Sequence, residues 1–425
     1  MMEPIDHCRI CGNRDLVSVV NLGNMALSGF FPKDRNAVIA KGPLELVKCL
    51  QNNERCCGLL QLAYAYKPED LYGDHYGYRS GLNRSMVEHL NAITAKISRM
   101  LDLTVEDLVL DIGSNDGTLL KGYKQQAQLA GFDAAGIKFK KYYPEPITLI
   151  PEFFSAGKFQ EHFGKKKPKV ITSIAMFYDL ERPLDFMKQI GEILDEQGLW
   201  VFEQSYMPAM LEMTAYDTIC HEHFEYYSLK QIKFMTDLAG LKIIDVEFND
   251  TNGGSFLITA AKQGNRLFEE NSALIGRILA DEDAQGLSGV ALYQDFQRRV
   301  EERRQELTQF FTWARARGKK VFGLGASTKG NVLLQYCQLS SDQIPCIAEV
   351  NEDKFGSFTP GTGIPILPED KVKAMNPDYL IVLPWHFREN IIARENKYLT
   401  AGGALVFPLP RLEIYATHFS HSANV

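Results

Sequence analysis

The sequence has no apolar stretch approaching the ~18 residues that a membrane-spanning helix needs, so no membrane partner is expected. It has no block of basic residues. Acids outnumber Lys and Arg 53 to 46, and the net charge is −7. That argues against a nucleic-acid polymer as partner, because holding a phosphate backbone takes clustered Lys and Arg. The run Lys165-Lys166-Lys167 is short and reads as a solvated turn. The first residues, MMEPIDHCRIC, lack the basic and then apolar segments of a secretory signal, so a cytoplasmic location is expected. Cysteine is sparse, eight in 425 residues, which is too few for a disulfide framework. Repeats of solenoid period and low-complexity segments are missing too.

What is present is an ordinary globular composition, 45% hydrophobic and 23% charged, on a chain too long for one core. Residues 1 to about 65 are Cys-rich and read as irregular. A Tyr-rich loop, DLYGDHYGYRSGLNRS, precedes a helical pattern, MVEHLNAITAKISRML. From 106 to about 262 the strand candidates DLVLDIG, LAGFDAA, KVITSIA, LWVFEQS and SFLITAA alternate with helices, which predicts a mostly parallel sheet. The charged helix YQDFQRRVEERRQELTQFFTWARARG follows, with Gly318 as its stop. A second strand-helix set begins at KKVFGLGASTKGNVLLQY and continues through IPCIAEV, PDYLIVLPW and GALVFPLP.

Five of the cysteines crowd into the first 57 residues. Without an export signal, such clustering points to metal. Cys8-x-x-Cys11-Gly12 is one half of a zinc site, and Cys49 with Cys56 or Cys57 is the other. Cys57 is favoured because Gly58 follows it, as Gly12 follows Cys11. Four thiolates close the tetrahedron around Zn²⁺, so the expected role is structural.

Three further motifs carry chemistry. After the apolar Leu108–Leu110 comes Asp111-Ile-Gly113-Ser114-Asn115-Asp116-Gly117, and then a helix. An acid and glycines between strand and helix form a nucleotide-cradling turn. It ends in neither the Gly-Lys-Ser/Thr of a P-loop nor a Gly-x-Gly-x-x-Gly, and instead resembles motif I of class I methyltransferases. Asp133, 22 residues after Asp111, closes the next strand, where a carboxylate can accept from ribose hydroxyls. The second motif is His221-Glu222-His223, placed before a helix capped by Ser228 and Gln231. Read as extended chain, it puts His221 and His223 on one face and Glu222 on the other. Three ionisable groups among aromatics suit acid-base work. The third is Gly323-Leu-Gly325-Ala-Ser-Thr-Lys329-Gly330, a Rossmann-type turn with Thr328 in place of the third glycine. Glu349 ends the next strand, and Lys329 is placed to contact a phosphate.

The ordered set of Cys8-x-x-Cys11-Gly, Cys57-Gly-Leu-Leu-Gln-Leu, Tyr76-Gly-Tyr78-Arg-Ser, IGSNDGTLL, HEHFEYYSL, Gly253-Gly254-Ser255, GLGASTKGNVLL, Pro360-Gly361-Thr362-Gly-Ile-Pro-Ile and Pro377-Asp378-Tyr resembles the C-methyltransferases of nucleotide-linked keto-deoxysugars, from Cys8 to about Pro410. The resemblance implies an α/β chain in three parts: a small zinc-binding domain (1–66), a class I methyltransferase Rossmann-like domain (67–262) and a C-terminal Rossmann-like domain that binds nucleotide-sugar (263–425). S-adenosylmethionine and structural Zn²⁺ are the implied cofactors, and a nucleotide-linked keto sugar is the implied partner. Tyr78, Ser80, Asp111, Gly113, Ser114, Asn115, Asp116, Gly117 and Asp133 would bind the methyl donor. Gly253, Gly254, Ser255, Lys329, Asn331 and Glu349 would bind the acceptor. His223 would be the general base, Glu222 would orient or tune it, and Tyr76 would lie near both ligands. His221 is the stand-in base. The family's tyrosine before His-Glu-His is Cys220 here, and Tyr178 stands where a histidine is usual. The expected reaction removes a proton beside the ketone, at C-3 of a 4-keto-6-deoxyhexose, and the enolate takes the sulfonium methyl. The alternatives are an O- or N-methyltransferase on a sugar and an NAD-dependent sugar oxidoreductase. A monomer is expected.

Overall fold

The computed structural model describes residues 2–67, 71, 78–124 and 127–417. The first 65 residues are not irregular. Strand β1 (Leu16–Ala26) pairs antiparallel with β2 (Lys41–Cys49), and β2 pairs with β3 (Leu60–Leu62). Register shifts between Ser18 and Val20 and between Asn21 and Asn24 explain why no clean alternation marks β1 in the sequence. Each bulge moves the following side chains to the other face.

The helix Arg84–Met100 comes next. Asn83 caps it by accepting from Ser85 N at 3.0 Å, and Met86, Leu90, Ile93 and Ile97 form its buried stripe. The central sheet is built from β4 (Leu108–Ile112), β5 (Gln128–Phe132), β6 (Thr148–Ile150), β7 (Val170–Ile174) and β8 (Leu199–Ser205). Strand β9 (Glu225–Tyr226) leaves this unit and pairs with β3 as the fourth strand of the N-terminal sheet. Strands β10 (Leu241–Asn249) and β11 (Ser255–Lys262) return to the central sheet. Its order is β10-β11-β8-β7-β4-β5-β6. Strands β8, β7, β4, β5 and β6 are parallel, and β11 runs against both its neighbours. Strand β4 is buried along its whole length, as a strand covered on both faces must be. The chain winds outward in both directions from β4 and β7, so a crevice opens beyond their carboxyl ends.

The C-terminal sheet repeats the plan with β12 (Val321–Leu324), β13 (Ile347–Glu349), β14 (Ile366–Pro368), β15 (Tyr379–Val382), β16 (Ala404–Phe407) and the antiparallel β17 (Glu413–Tyr415), in the order β14-β13-β12-β15-β16-β17. The long helix Ala291–Ala316 leads into it and stops before Gly318, whose φ is 62°. The helix Ser272–Ala284 lies in the C-terminal stretch of sequence, yet its Ile275 and Ile278 pack into the central core. The apolar face of β1–β3 shares one core with the C-terminal sheet, whereas the cysteine end packs on the central core. The N-terminal unit therefore clasps both lobes. Among the described residues no helix is long and apolar enough to cross a membrane.

Candidate functional site

Cys8, Cys11, Cys49 and Cys57 bring their sulfurs within 4.8 Å of one another. The Cys8–Cys57 and Cys11–Cys49 separations are 3.5 and 3.7 Å. Tetrahedral Zn–S bonds of about 2.3 Å put sulfurs roughly 3.8 Å apart, so the four residues fit zinc with no position left for a substrate. Cys56 is buried outside this group. The fully buried Lys48 donates to the Gly58 carbonyl beside the thiolates, and burial pushes its ammonium down to about 8 against the opposing pull of Cys57 and Cys49.

A pocket of the central domain lies at the carboxyl ends of β4, β5, β7 and β8. Tyr78, Ser80, Asp111, Gly113, Ser114, Asn115 and Asp133, all expected to hold the methyl donor, line it. The Asp133 carboxylate accepts from Asn115 N at 2.7 Å and Ala135 N at 2.8 Å. Each oxygen keeps a further lone pair for a hydroxyl. Burial raises its proton affinity, and the two amides oppose that rise. Asp111 accepts from Thr172 Oγ1 at 2.6 Å, and burial pushes it up to about 7. Asp116 and Gly117 do not line the pocket. Asp116 accepts from Gly81 N at 3.0 Å and from Thr118 Oγ1 at 2.5 Å, and so fastens the Arg79–Gly81 segment to the glycine turn. Asn115 helps, donating from Nδ2 to the Tyr78 carbonyl and accepting from Ser80 N. Gly117 supplies the left-handed residue, φ 71°, before the helix. Tyr76 lies outside the described residues.

His221-Glu222 is a turn, not extended chain: His223 N donates to the Cys220 carbonyl at 3.2 Å. The two histidines therefore do not share a face. His221 has no exposed surface; Nδ1 contacts Ser28 Oγ and Nε2 the Gly42 carbonyl, both at 3.3 Å. Burial pushes it down to about 4, and the backbone carbonyls oppose the shift. His221 thus joins the N-terminal sheet to the central domain. His223 turns the other way. Its Nδ1 is 2.8 Å from the Thr218 carbonyl, and its ring lies 4.3 Å from that of Tyr178. Because a carbonyl only accepts, Nδ1 carries the hydrogen and the lone pair falls on Nε2. Burial first, then the Lys329 ammonium, holds the ring down to about 3 and keeps it neutral. The Glu222 carboxyl, its proton affinity raised by burial, takes a hydrogen bond from Ser28 Oγ at 3.5 Å. The Phe224 N–H donates to the Tyr178 carbonyl at 2.8 Å, which ties this motif to the segment whose Met176 and Asp179 line the pocket.

From the second glycine turn, Lys329 Nζ reaches across the lobes to the Asn252 carbonyl at 2.9 Å, and Asn252 lines the pocket. Gly253 and Gly254 take φ values of 90° and 110° and let this loop pass beside Trp385 and Ala209. The Ser255 hydroxyl turns inward to the Thr251 carbonyl. Glu349 accepts from Ala326 N, Val350 N and Asn351 N, bracing the second turn much as Asp133 braces the first. Asn331 donates to the Ser28 carbonyl at 2.7 Å, so Ser28 touches all three parts of the chain. Sequence reasoning missed Ser28, Thr218, Glu203 and the buried Asp217, which accepts from Trp385 Nε1 at 2.8 Å. None lies in a motif with a recognisable spacing. Only the neighbouring His-Glu-His hints at Asp217 and Thr218.

A sheet of this order, with a glycine turn and a carboxylate at its switch point, defines a class I S-adenosylmethionine-dependent methyltransferase. Family models match along the chain in order: a zinc binding domain over 8–72, a methyltransferase domain over 86–246 and a C-methyltransferase C-terminal domain over 250–410. The C-methyltransferase NovU of Streptomyces niveus is 30% identical over 414 residues, covering 96% of this chain and 97% of that protein. The chain belongs to this C-methyltransferase family. Among solved structures, magnesium protoporphyrin IX methyltransferase from Synechocystis PCC 6803 with bound SAH is 14% identical, covering 45% of this chain and 90% of that one at a TM-score of 0.33. An S-adenosylmethionine-dependent methyltransferase from Clostridium acetobutylicum is 12% identical, covering 41% and 90% at a TM-score of 0.31.

Proposed function

We propose that this enzyme methylates a carbon next to the ketone of a nucleotide-linked keto-deoxysugar, at C-3 of a 4-keto-6-deoxyhexose, with His223 as the general base. The observation that carries the reading is the His223 tautomer: the Thr218 carbonyl takes the Nδ1 hydrogen and leaves a lone pair on Nε2. A neutral imidazole fixed in this way can accept the proton from the weakly acidic C–H. The resulting enolate attacks the sulfonium methyl, and proximity supplies the rest of the rate. Tyr178, against the His223 ring, is the donor to the enolate oxygen. Glu222 is assigned to orienting or tuning the base, and Tyr76 to a place near both ligands.

The distribution of charge supports separate sites. The described lining of the donor pocket holds carboxylates and no Lys, Arg or His, which suits a sulfonium and repels a nucleoside diphosphate. Lys329 stands on the side of the C-terminal lobe, where the acceptor's phosphates would go, with Gly253, Gly254, Ser255, Asn331 and Glu349 shaping that cleft. The three domains divide the work accordingly, at 1–66, 67–262 and 263–425. The test is incubation with 4-keto-6-deoxyhexose nucleotides in deuterated water. The expected result is a 14-dalton gain with donor present and α-deuterium exchange with or without it. Methylation without exchange would mean attack by oxygen or nitrogen instead.

A further inference from the structure

Among the described residues, six carboxylates line the donor pocket: Asp111, Asp133, Glu152, Asp179, Glu181 and Glu203. Asp133 is placed for the ribose. Glu203 is different in kind. It lies on β8, in register with Ile174 of β7 and Leu257 of β11, and is 2% exposed. Its carboxylate is held from behind. Oε1 is 2.8 Å from His89 Nε2, and Oε2 is 3.0 Å from the same nitrogen and 2.8 Å from Asn249 Nδ2. Asn249 is itself fixed, accepting from Thr251 N at 2.9 Å. A buried carboxylate is costly unless it is hydrogen-bonded and paired. Here two side chains from separate elements orient one acid that also forms part of the pocket wall.

We propose that Glu203 receives the α-ammonium group of the donor's methionyl end, with His89 and Asn249 as positioning residues. The sheet order sets the direction. Asp133 follows β5, the glycine turn follows β4, Ile174 ends β7 with Ala175 just beyond it, and Glu203 lies on β8. These four strands are successive neighbours about 4.8 Å apart. A donor whose ribose meets Asp133 and whose middle crosses the glycine turn extends its amino-acid end toward β8. Asp111 is a poorer partner for a cation. It sits at the middle of the row, Thr172 occupies one of its oxygens, and burial raises its proton affinity. No lysine or arginine in the described lining competes for the carboxylate.

The proposal rests on the donor dependence of the class and not on the identity of the acceptor, so its test contains no sugar. Isothermal titration on the full zinc-loaded chain would compare S-adenosylhomocysteine with its analogue lacking the α-amino group. The wild type should bind the amino-less analogue about tenfold or more weakly, the usual worth of one charge-assisted pair. Glu203→Gln should lose affinity for S-adenosylhomocysteine by a similar factor and bind the analogue as the wild type does, so that the two ligands become nearly equivalent. Wild-type protein that binds both equally overturns the proposal. So does a Glu203→Gln variant that weakens both by the same factor, because that is loss of the pocket and not of one contact. Glu203→Asp keeps the charge with a shorter reach, and it carries the same comparison if the glutamine variant does not fold. His89→Gln should reduce affinity for S-adenosylhomocysteine more than for the analogue, and equal losses would remove His89 from the assignment.

Discussion

Gln231 Nε2 donates to the Cys57 carbonyl at 2.9 Å and to the Gly58 carbonyl at 3.2 Å. The same side chain completes the capping box with Ser228, through Oε1, at the start of the helix Leu229–Leu238. The loop that carries a zinc ligand is therefore fastened, through one glutamine, to the helix that follows His223. Strand β9 pairing with β3 makes a second tie a few residues earlier.

Cys57→Ser should lose zinc, whereas Cys56→Ser should keep about one equivalent, since only Cys57 joins the four-sulfur cluster. Metal analysis of the purified variants decides this. The Cys57 variant should also melt at a lower temperature and aggregate more readily. Equal zinc in both variants would mean that the fourth ligand is misassigned.

Asp133→Ala should weaken S-adenosylhomocysteine binding about tenfold or more, because hydrogen bonds to a charged group contribute about 1.5–3 kcal/mol. Part of that loss comes through the glycine turn, which loses its brace at Asn115 N. Titration calorimetry is the check, and unchanged affinity would place the ribose elsewhere.

His223→Asn keeps a hydrogen-bonding side chain of similar shape but removes the base. Methyl transfer should fall on the order of 10²–10⁴-fold, and α-deuterium exchange should fall in parallel, with donor affinity nearly unchanged. His221→Asn should instead act on stability, because His221 lies in a fully buried interdomain contact. Near wild-type exchange in the His223 variant would transfer the role of base to another group.

Acid stability should show the buried histidines. His221 titrates at about 4 in the folded chain against an ordinary value near 6.5. Between those limits the unfolded chain binds more protons, so stability is present above pH ~6.5 and is lost as pH falls toward 4, at about 1.4 kcal/mol per unit for each such histidine. His223, held to about 3, adds a parallel loss that extends lower. Denaturant melts from pH 7 to 4 should give a shallower acid limb for His221→Gln than for the wild type. Parallel limbs would refute the shift.

Local pattern was enough to read much of this molecule. The strand LWVFEQS is β8 residue for residue, the capping box lies where Ser228 and Gln231 predict it, and Gly318 follows the long helix. Such features depend on side-chain period, capping chemistry and left-handed backbone, all of which act within a few residues. The Cys-x-x-Cys and the glycine turn were legible for the same reason, since metal and nucleotide each demand a short, fixed arrangement. Only the tertiary structure decided that Cys57 and not Cys56 completes the cluster, that His221 faces the N-terminal sheet while His223 faces Tyr178, and that Lys329 reaches Asn252 from another lobe. Each of those outcomes joins residues far apart in the chain. The direction a side chain takes at a turn depends on which distant surface buries it, and a single sequence does not encode that surface in any local period.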